Sequence, residues 1–227
     1  MLVQETFGAP KIIAPNEAHL ACVLLLDTSG SMTGAPIDNL NRALQSFRER
    51  VARDELARRR VDIAIVEFNN DARIVQDFTP IAQMEPVTLY ANGMTYMGAG
   101  IDLAIDMVKS RNQFYNSVGT PVFRPWIFMI TDGAPTDDID NAARRVREEE
   151  SKGTHGKLKF FALGVGDYDR ETLFMLTNRV MELTDTDFDG IFDWMSESMV
   201  AISVSRVGED IRLGDLPTNA RVVPADW

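Results

Sequence analysis

The side chains best suited to bind a ligand in this chain are oxygen donors that follow an apolar segment. Residues 21–26 are apolar throughout, and Asp27, Ser29 and Ser31 come directly after them. Small carboxylate and hydroxyl oxygens at the end of a buried strand suit a hard divalent cation, Mg²⁺ in particular. The pattern predicts part of a magnesium site, whose remaining ligands must lie elsewhere in the chain.

Two further segments offer the missing oxygens. Asp132 follows residues 126–131, which are almost wholly apolar, in the same way that Asp27 follows the first apolar segment. Ligands of a parallel sheet gather beyond the carboxyl ends of its strands, so neighbouring strands would bring these two aspartates to one crevice. Thr95 lies in a loop flanked by glycines, which permit close approach of the backbone.

The predicted ligand set has more hydroxyls than carboxylates. It consists of Asp27, Ser29, Ser31, Thr95 and Asp132. Mg²⁺ prefers six oxygens in an octahedron and readily keeps water, and Mn²⁺ accepts a similar shell. Two carboxylates leave the ion incompletely neutralised, so a carboxylate from another protein could replace a water. Since the sequence places no candidate nucleophile or base beside these donors, the set favours binding over catalysis.

Composition describes an acidic globular chain. Its 227 residues are 45% hydrophobic, and 23 Lys and Arg against 34 Asp and Glu give a net charge of −11. Such a chain can form one large domain, and its charge repels nucleic acids and anionic membranes. One cysteine excludes an internal disulfide. We find no signal peptide and no apolar segment that could span a bilayer, so we expect a cytoplasmic location.

Apolar segments alternate with amphipathic ones along the chain. Strands are predicted at residues 21–26, 61–68, 72–78, 126–131, 159–165 and 180–183, with helices around 37–51, 101–108, 139–150, 170–176 and 192–202. The short polar link 69–71 predicts an antiparallel hairpin. The other strands are mostly apolar throughout, which is typical of parallel strands covered on both faces. We expect an α/β fold: a doubly wound, mostly parallel six-stranded sheet with one antiparallel edge strand and helices on both faces.

Several polar residues have simpler explanations than ligand binding. We expect Thr136 and Asp137 to cap the helix that begins near Ile139. His19 and His155 lie in polar stretches and are expected to be solvated.

Apolar side chains flank Thr95. They are Met94, Tyr96 and Met97, and they would form an adaptable rim around the metal if they are exposed, or part of the core if they point inward.

The motifs together resemble a known adhesion site. Residues 27–31, with Thr95 and Asp132, resemble the metal-ion-dependent adhesion site of von Willebrand factor A domains. The resemblance spans residues 18–205, which leaves residues 1–17 as an N-terminal extension and residues 206–227 as a surface strap or loose tail. It implies a non-enzymatic module in which Mg²⁺ is completed by an Asp or Glu of a protein partner.

A narrower resemblance rests on three segments. Residues 124–137, 159–166 and 192–198 are similar to the bacterial TerY-like and YegL-like group, which is associated with tellurite-resistance gene clusters. This implies a stress or tellurium-resistance complex with kinase-like or phosphatase-like partners. Some relatives carry a C-terminal zinc-binding segment, and with a single cysteine in these 227 residues we do not expect that segment here.

Two other functions remain open at this point. The site could be structural, in a scaffold that binds its partners elsewhere without metal. Alternatively, Asp27 could be the nucleophile of a Mg²⁺-dependent phosphatase. Phosphatases of the haloacid-dehalogenase type place a general-acid aspartate two residues after the nucleophile, where this chain has Ser29. The residues therefore favour a metal-dependent binding module.

Overall fold

A seven-stranded sheet forms the centre of the computed structural model, which describes residues 11–152, 157–209 and 211–224. The strands are β1 (Leu20–Asp27), β2 (Val61–Phe68), β3 (Ala72–Pro80), β4 (Trp126–Thr131), β5 (Lys159–Val165), β6 (Val180–Leu183) and β7 (Ala220–Val222). Their order in the sheet is β3-β2-β1-β4-β5-β6-β7. The two edge strands, β3 and β7, are antiparallel to their neighbours and the other pairs are parallel. The predicted α/β class and the β2–β3 hairpin are confirmed.

Helices cover both faces of this sheet. They are α1 (Ala35–Arg53), α2 (Ala57–Arg60), α3 (Met97–Ser117), α4 (Asp140–Ser151), α5 (Arg170–Leu176) and α6 (Asp189–Ser203). Helices α1, α2 and α6 pack on one face, and α3, α4 and α5 on the other. In the described ranges, no helix has both the length and the apolar character needed to cross a bilayer.

The apolar run of β1 explains why it lies at the centre. All eight of its residues are buried. Leu20, Leu24 and Leu26 contribute to the core under α1 and α6, whereas Val23 and Leu25 contribute to the core under α3 and α4. Because side chains of a strand alternate between faces, a strand covered on both sides must be apolar at every position.

The sheet has one strand more than the six predicted, because the C-terminal segment contributes β7. Ala220 pairs with Leu183 and Val222 with Met181, in antiparallel register. The sequence of β7 gives no strand signal, since it is three residues long and only Ala220 is buried. The same segment is also held to α6, where the Trp194 indole donates a hydrogen bond to the Gly214 carbonyl at 2.9 Å.

A buried polar network lies at the opposite end of β1 from Asp27, and it corrects the prediction for His19. The His19 ring is fully buried, and its Nδ1 lies 2.7 Å from Oδ2 of Asp62. The Tyr115 hydroxyl donates to the same oxygen, and a guanidinium nitrogen of Arg111 lies 3.3 Å from it. A buried carboxylate requires such partners, so Asp62 draws the histidine inward. His155 lies outside the described residues.

Removing one donor from this network should destabilise the fold. We expect Tyr115→Phe to lower the free energy of unfolding by about 1.5–3 kcal/mol, because a hydrogen bond to a buried charged group is lost. Urea denaturation measures the difference. Tyr90→Phe is the matched control, since this tyrosine is 72% exposed and the same change should cost less than about 0.5 kcal/mol. Equal effects of the two substitutions would contradict the role assigned to the Tyr115 hydroxyl.

Candidate metal centre

The two aspartates predicted to share a crevice lie at the same edge of the sheet. Strand β1 is paired in parallel with β4 on one side and with β2 on the other. Asp27 is the last residue of β1, and Asp132 follows the last residue of β4. The chain leaves β1 for β2 in one direction and reaches β4 in the other, so the carboxyl ends of β1 and β4 form a topological switch point, where α/β sheets bind ligands.

Hydrogen bonds connect four of the five predicted ligands. The two oxygens of Asp27 accept from the Ser29 backbone N–H at 2.8 Å and from the Thr131 hydroxyl at 2.6 Å. The hydroxyls of Ser29 and Ser31 lie 3.0 Å apart. Ser31 in turn donates to Oδ1 of Asp132 at 2.6 Å. The structure thus brings Asp27, Ser29, Ser31 and Asp132 together, as the sequence predicts.

The loop that carries Thr95 is joined to Thr136 and to the Asp27–Ser31 turn by backbone groups. Its N–H donates to the Thr136 hydroxyl and its carbonyl accepts from the Thr136 N–H, both at 2.9 Å. Two residues earlier, the Gly93 carbonyl accepts from the Gly30 N–H at 3.0 Å, which joins the loop to the Asp27–Ser31 turn. Within the described part of the chain, the Thr95 hydroxyl makes no hydrogen bond to the other four predicted ligands. Thr136 therefore holds the Thr95 loop and does not cap the following helix.

Asp137 also differs from its prediction, because it binds the start of α3 and not the start of α4. Its carboxylate accepts from the Gly98 N–H at 3.1 Å and the Ala99 N–H at 2.9 Å. The first turn of α4 is served by Asp138, whose side chain accepts from the Asp140 N–H at 2.8 Å. A side chain at position 98 would lie 2.5 Å from the Asp138 carbonyl, so this close contact requires glycine.

The crevice runs from a buried floor to an exposed rim. Asp27 and Ser29 are buried, Asp132 is half-buried, and Ser31 is exposed. Burial raises the pKa of both aspartates above the ordinary value. For Asp27, hydrogen bonds from Ser29 and Thr131 partly offset this rise, and the Asp132 carboxylate adds to it. A cation between the two carboxylates would favour their ionised forms.

The matching family model identifies the chain. The model for the von Willebrand factor type A domain matches residues 22–193. The chain belongs to this family.

Solved structures share the fold of this A domain. A von Willebrand factor type A protein from Catenulispora acidiphila is 16% identical with a TM-score of 0.61, over 81% of this chain and 43% of that one. The pilus adhesin SpaC from Lactobacillus rhamnosus GG is 13% identical with a TM-score of 0.66, and the match covers 82% of this chain and 30% of that one. A third structure is proximal thread matrix protein 1 from the mussel byssus with a zinc-occupied MIDAS motif. It is 20% identical with a TM-score of 0.58, and the match covers 82% of this chain and 46% of that one. This chain spans less than half the length of each, and at these identities the likeness shows the fold alone.

The donors of this A domain fit a hard divalent cation. The described residues hold no group of three or more His, Cys, Asp and Glu side chains placed to bind a metal. The set at the crevice is instead two carboxylates with serine hydroxyls, and Thr95 is held beside it. Oxygen donors of this kind suit Mg²⁺ and Mn²⁺ better than metals that require thiolate or imidazole.

Sequence reasoning missed two residues that shape the site of the A domain. Thr131 holds Asp27, and Thr136 holds the Thr95 loop. Thr131 carries a recognisable signal, because it is the one hydroxyl in an otherwise apolar strand and it precedes Asp132. Thr136 carries none, because its partner lies 41 residues away in the sequence.

Removing the Thr136 hydroxyl should weaken metal binding without removing a ligand. We expect Thr136→Val to reduce the affinity for Mn²⁺ about tenfold or more, as for other groups that orient metal ligands, because Thr95 loses the partner of its N–H. Isothermal titration calorimetry measures the affinity.

Thr184→Val is the matched control for this substitution. The Thr184 hydroxyl also bonds to a backbone group, since it donates to the Asn219 carbonyl in the C-terminal segment. Its removal should leave Mn²⁺ affinity unchanged. An unchanged affinity in Thr136→Val would contradict the positioning role of this threonine.

Proposed function

We propose that this A domain is a metal-dependent protein-binding module whose partner supplies an Asp or Glu carboxylate. The observation that carries the proposal is the hydrogen-bonded series from buried Asp27 through Ser29 and Ser31 to half-buried Asp132. This series offers oxygen donors both at the floor of the crevice and at its exposed rim. A divalent cation held there, Mg²⁺ first and Mn²⁺ as the alternative, would accept a carboxylate oxygen from outside.

The proposed ligands are Asp27, Ser29, Ser31, Thr95 and Asp132. Only two of them are carboxylates, and five donors leave one position of a six-oxygen shell open. A partner carboxylate would add an anionic oxygen at that position, and its attraction to the cation gives an acidic side chain its advantage over a neutral one.

The surroundings of the crevice support a non-enzymatic role. His19, the one histidine in the described ranges, is buried at the far end of β1, and Cys22 is buried within that strand. Ser29 stands where a phosphatase of the haloacid-dehalogenase type needs a general acid, and its hydroxyl lies against that of Ser31. In the part of the chain that the structure describes, neither a histidine nor a cysteine therefore accompanies the carboxylates, and domains of this family generally serve as interaction modules.

The residues beside Thr95 add apolar surface at the rim. Met94 is 50% exposed and Tyr96 is 37% exposed, whereas Met97 is buried in the core against the sheet. Exposed methionine and tyrosine side chains are common in protein interfaces, so the preferred partner carries apolar residues next to its acid.

The biological context is proposed on the sequence resemblance alone. The TerY-like and YegL-like group suggests a bacterial stress or tellurium-resistance complex with kinase-like or phosphatase-like proteins, in the cytoplasm. The net charge of −11 supports protein partners over nucleic acids or anionic membranes.

Metal should stabilise the folded chain. At a hundredfold excess over its dissociation constant, Mg²⁺ should add about 2.7 kcal/mol, which raises the melting temperature by roughly 5–10 °C relative to chelator. We expect Asp132→Ala to abolish this increment, because it removes one of the two carboxylates. Asp215→Ala removes an exposed carboxylate from the C-terminal segment, and this variant should keep the full stabilisation by Mg²⁺. An equal melting temperature in Mg²⁺ and in chelator would contradict a metal-dependent module.

Partner capture should need both the metal and the acid of the partner. The full chain should retain a protein from cell extract in Mg²⁺ and release it in chelator, and Asp132→Ala should not retain it. Alanine replacement of acidic residues in the identified partner should then locate one Asp or Glu whose loss weakens binding at least tenfold. Capture that persists in chelator would favour the metal-independent scaffold instead.

A further inference from the structure

A second cleft opens at the opposite end of the parallel strands from the proposed metal site. It has a volume of about 640 Å³ and lies where β4 and β5 begin, between the ends of α3, α4 and α6. Trp126 and Lys159, the first residues of β4 and β5, are paired in the sheet and both line it. The six residues of β4, at about 3.3 Å each, separate this cleft from Asp132 by about 20 Å.

Basic side chains are concentrated at this cleft. The chain has five lysines, and four of them line it together with one arginine. The cations are Lys109, Arg124, Lys152, Lys157 and Lys159, and the carboxylates among the described lining residues are Glu149 and Glu209. Arg124 and Lys159 have further interactions of their own, so among the described lining residues the excess positive charge rests on Lys109, Lys152 and Lys157, in a chain whose net charge is −11. The cleft is therefore a local positive region on an acidic protein.

A buried glutamate fixes two of these ammonium groups. One oxygen of Glu149 lies 2.7 Å from the ammonium of Lys152 and 3.2 Å from that of Lys109. Glu149 is 5% exposed, whereas the side chains of the two lysines remain 42% and 51% exposed. A single carboxylate neutralises one of two ammonium groups, so this wall keeps a positive charge that faces solvent.

The remaining walls offer apolar surface and an amide. Val122, Phe123 and Ile202 line the cleft beside Trp126. Asn112 also lines it, and its buried side-chain oxygen has no hydrogen-bond partner among the described residues. An amide oxygen accepts hydrogen bonds, so Asn112 can bond to a donor group, such as a hydroxyl, of a bound molecule.

We propose that this cleft binds a phosphorylated small molecule. A phosphate group carries multiple negative charges and acceptor oxygens, which match the lysine ammonium groups that line the cleft. The apolar walls would accommodate the organic part of the molecule. The volume lies within the range of about 300–1,000 Å³ typical of small-molecule sites. Binding of this ligand is independent of the metal, because the two sites lie at opposite ends of the parallel strands.

Titration calorimetry with 1-naphthyl phosphate tests the proposal on the full chain. Chelator in the buffer excludes binding through a bridging metal ion. Constant ionic strength excludes differences in salt screening between the ligands. We expect saturable binding of one molecule per chain, at least tenfold tighter than inorganic phosphate and without detectable binding of uncharged 1-naphthol. The double variant Lys109→Ala, Lys157→Ala should weaken binding at least tenfold, because two ammonium groups leave the cleft.

Lys11→Ala is the matched control, since Lys11 is the one lysine outside the cleft. It should bind as the unmodified chain does, and so should Asp132→Ala. Far-ultraviolet circular dichroism and thermal melts establish that the variants fold. Absence of saturable binding up to millimolar concentrations, or equal weakening in Lys11→Ala, would overturn the proposal. So would tighter binding of a hexaglutamate peptide at the same lysines, which would make the cleft a site for an acidic protein segment.

Discussion

The carboxylate of Asp27 is the group on which the arrangement of the site depends. It lies fully buried at the end of the central strand, where burial raises its pKa. One oxygen is held by the Ser29 backbone and the other by Thr131 on the neighbouring strand, so its orientation is fixed by β1 and β4 together. A charge in such a place requires compensation, and the described residues supply hydrogen bonds to Asp27 but no basic side chain. A bound cation is the compensation consistent with the oxygen donors nearby.

The loops around this carboxylate hold each other through backbone groups. The Thr95 loop bonds to Thr136 on one side and to Gly30 on the other, and Asp137 accepts from the first turn of α3. These contacts join segments that are far apart in the sequence. Each of these contacts uses a backbone N–H or C=O group on at least one side, so they constrain where the loops lie.

The sequence predicted the elements whose signals are local. Strand β1 is apolar at every position before its last residue, which indicates a strand buried on both faces. The β2–β3 hairpin is indicated by its short polar link. The two aspartates of the site are indicated by their position directly after apolar strands. Features that depend on distant partners were not predictable. His19 is buried because Asp62, 43 residues away, needs a partner, and Asp137 serves α3 because the fold brings Gly98 to it. Strand β7 is too short and too exposed to have a pattern of its own.

The two outermost strands also limit how this chain can associate. β7 covers the side of β6 with three residues, and its Arg221 is paired with Glu182 across the strands. At the far side, β3 departs from regular register with β2 near Ile65. A short strand and an irregular one are poor templates for adding a further strand from another molecule. Cross-β polymerisation through the outermost strands of the sheet is thereby disfavoured.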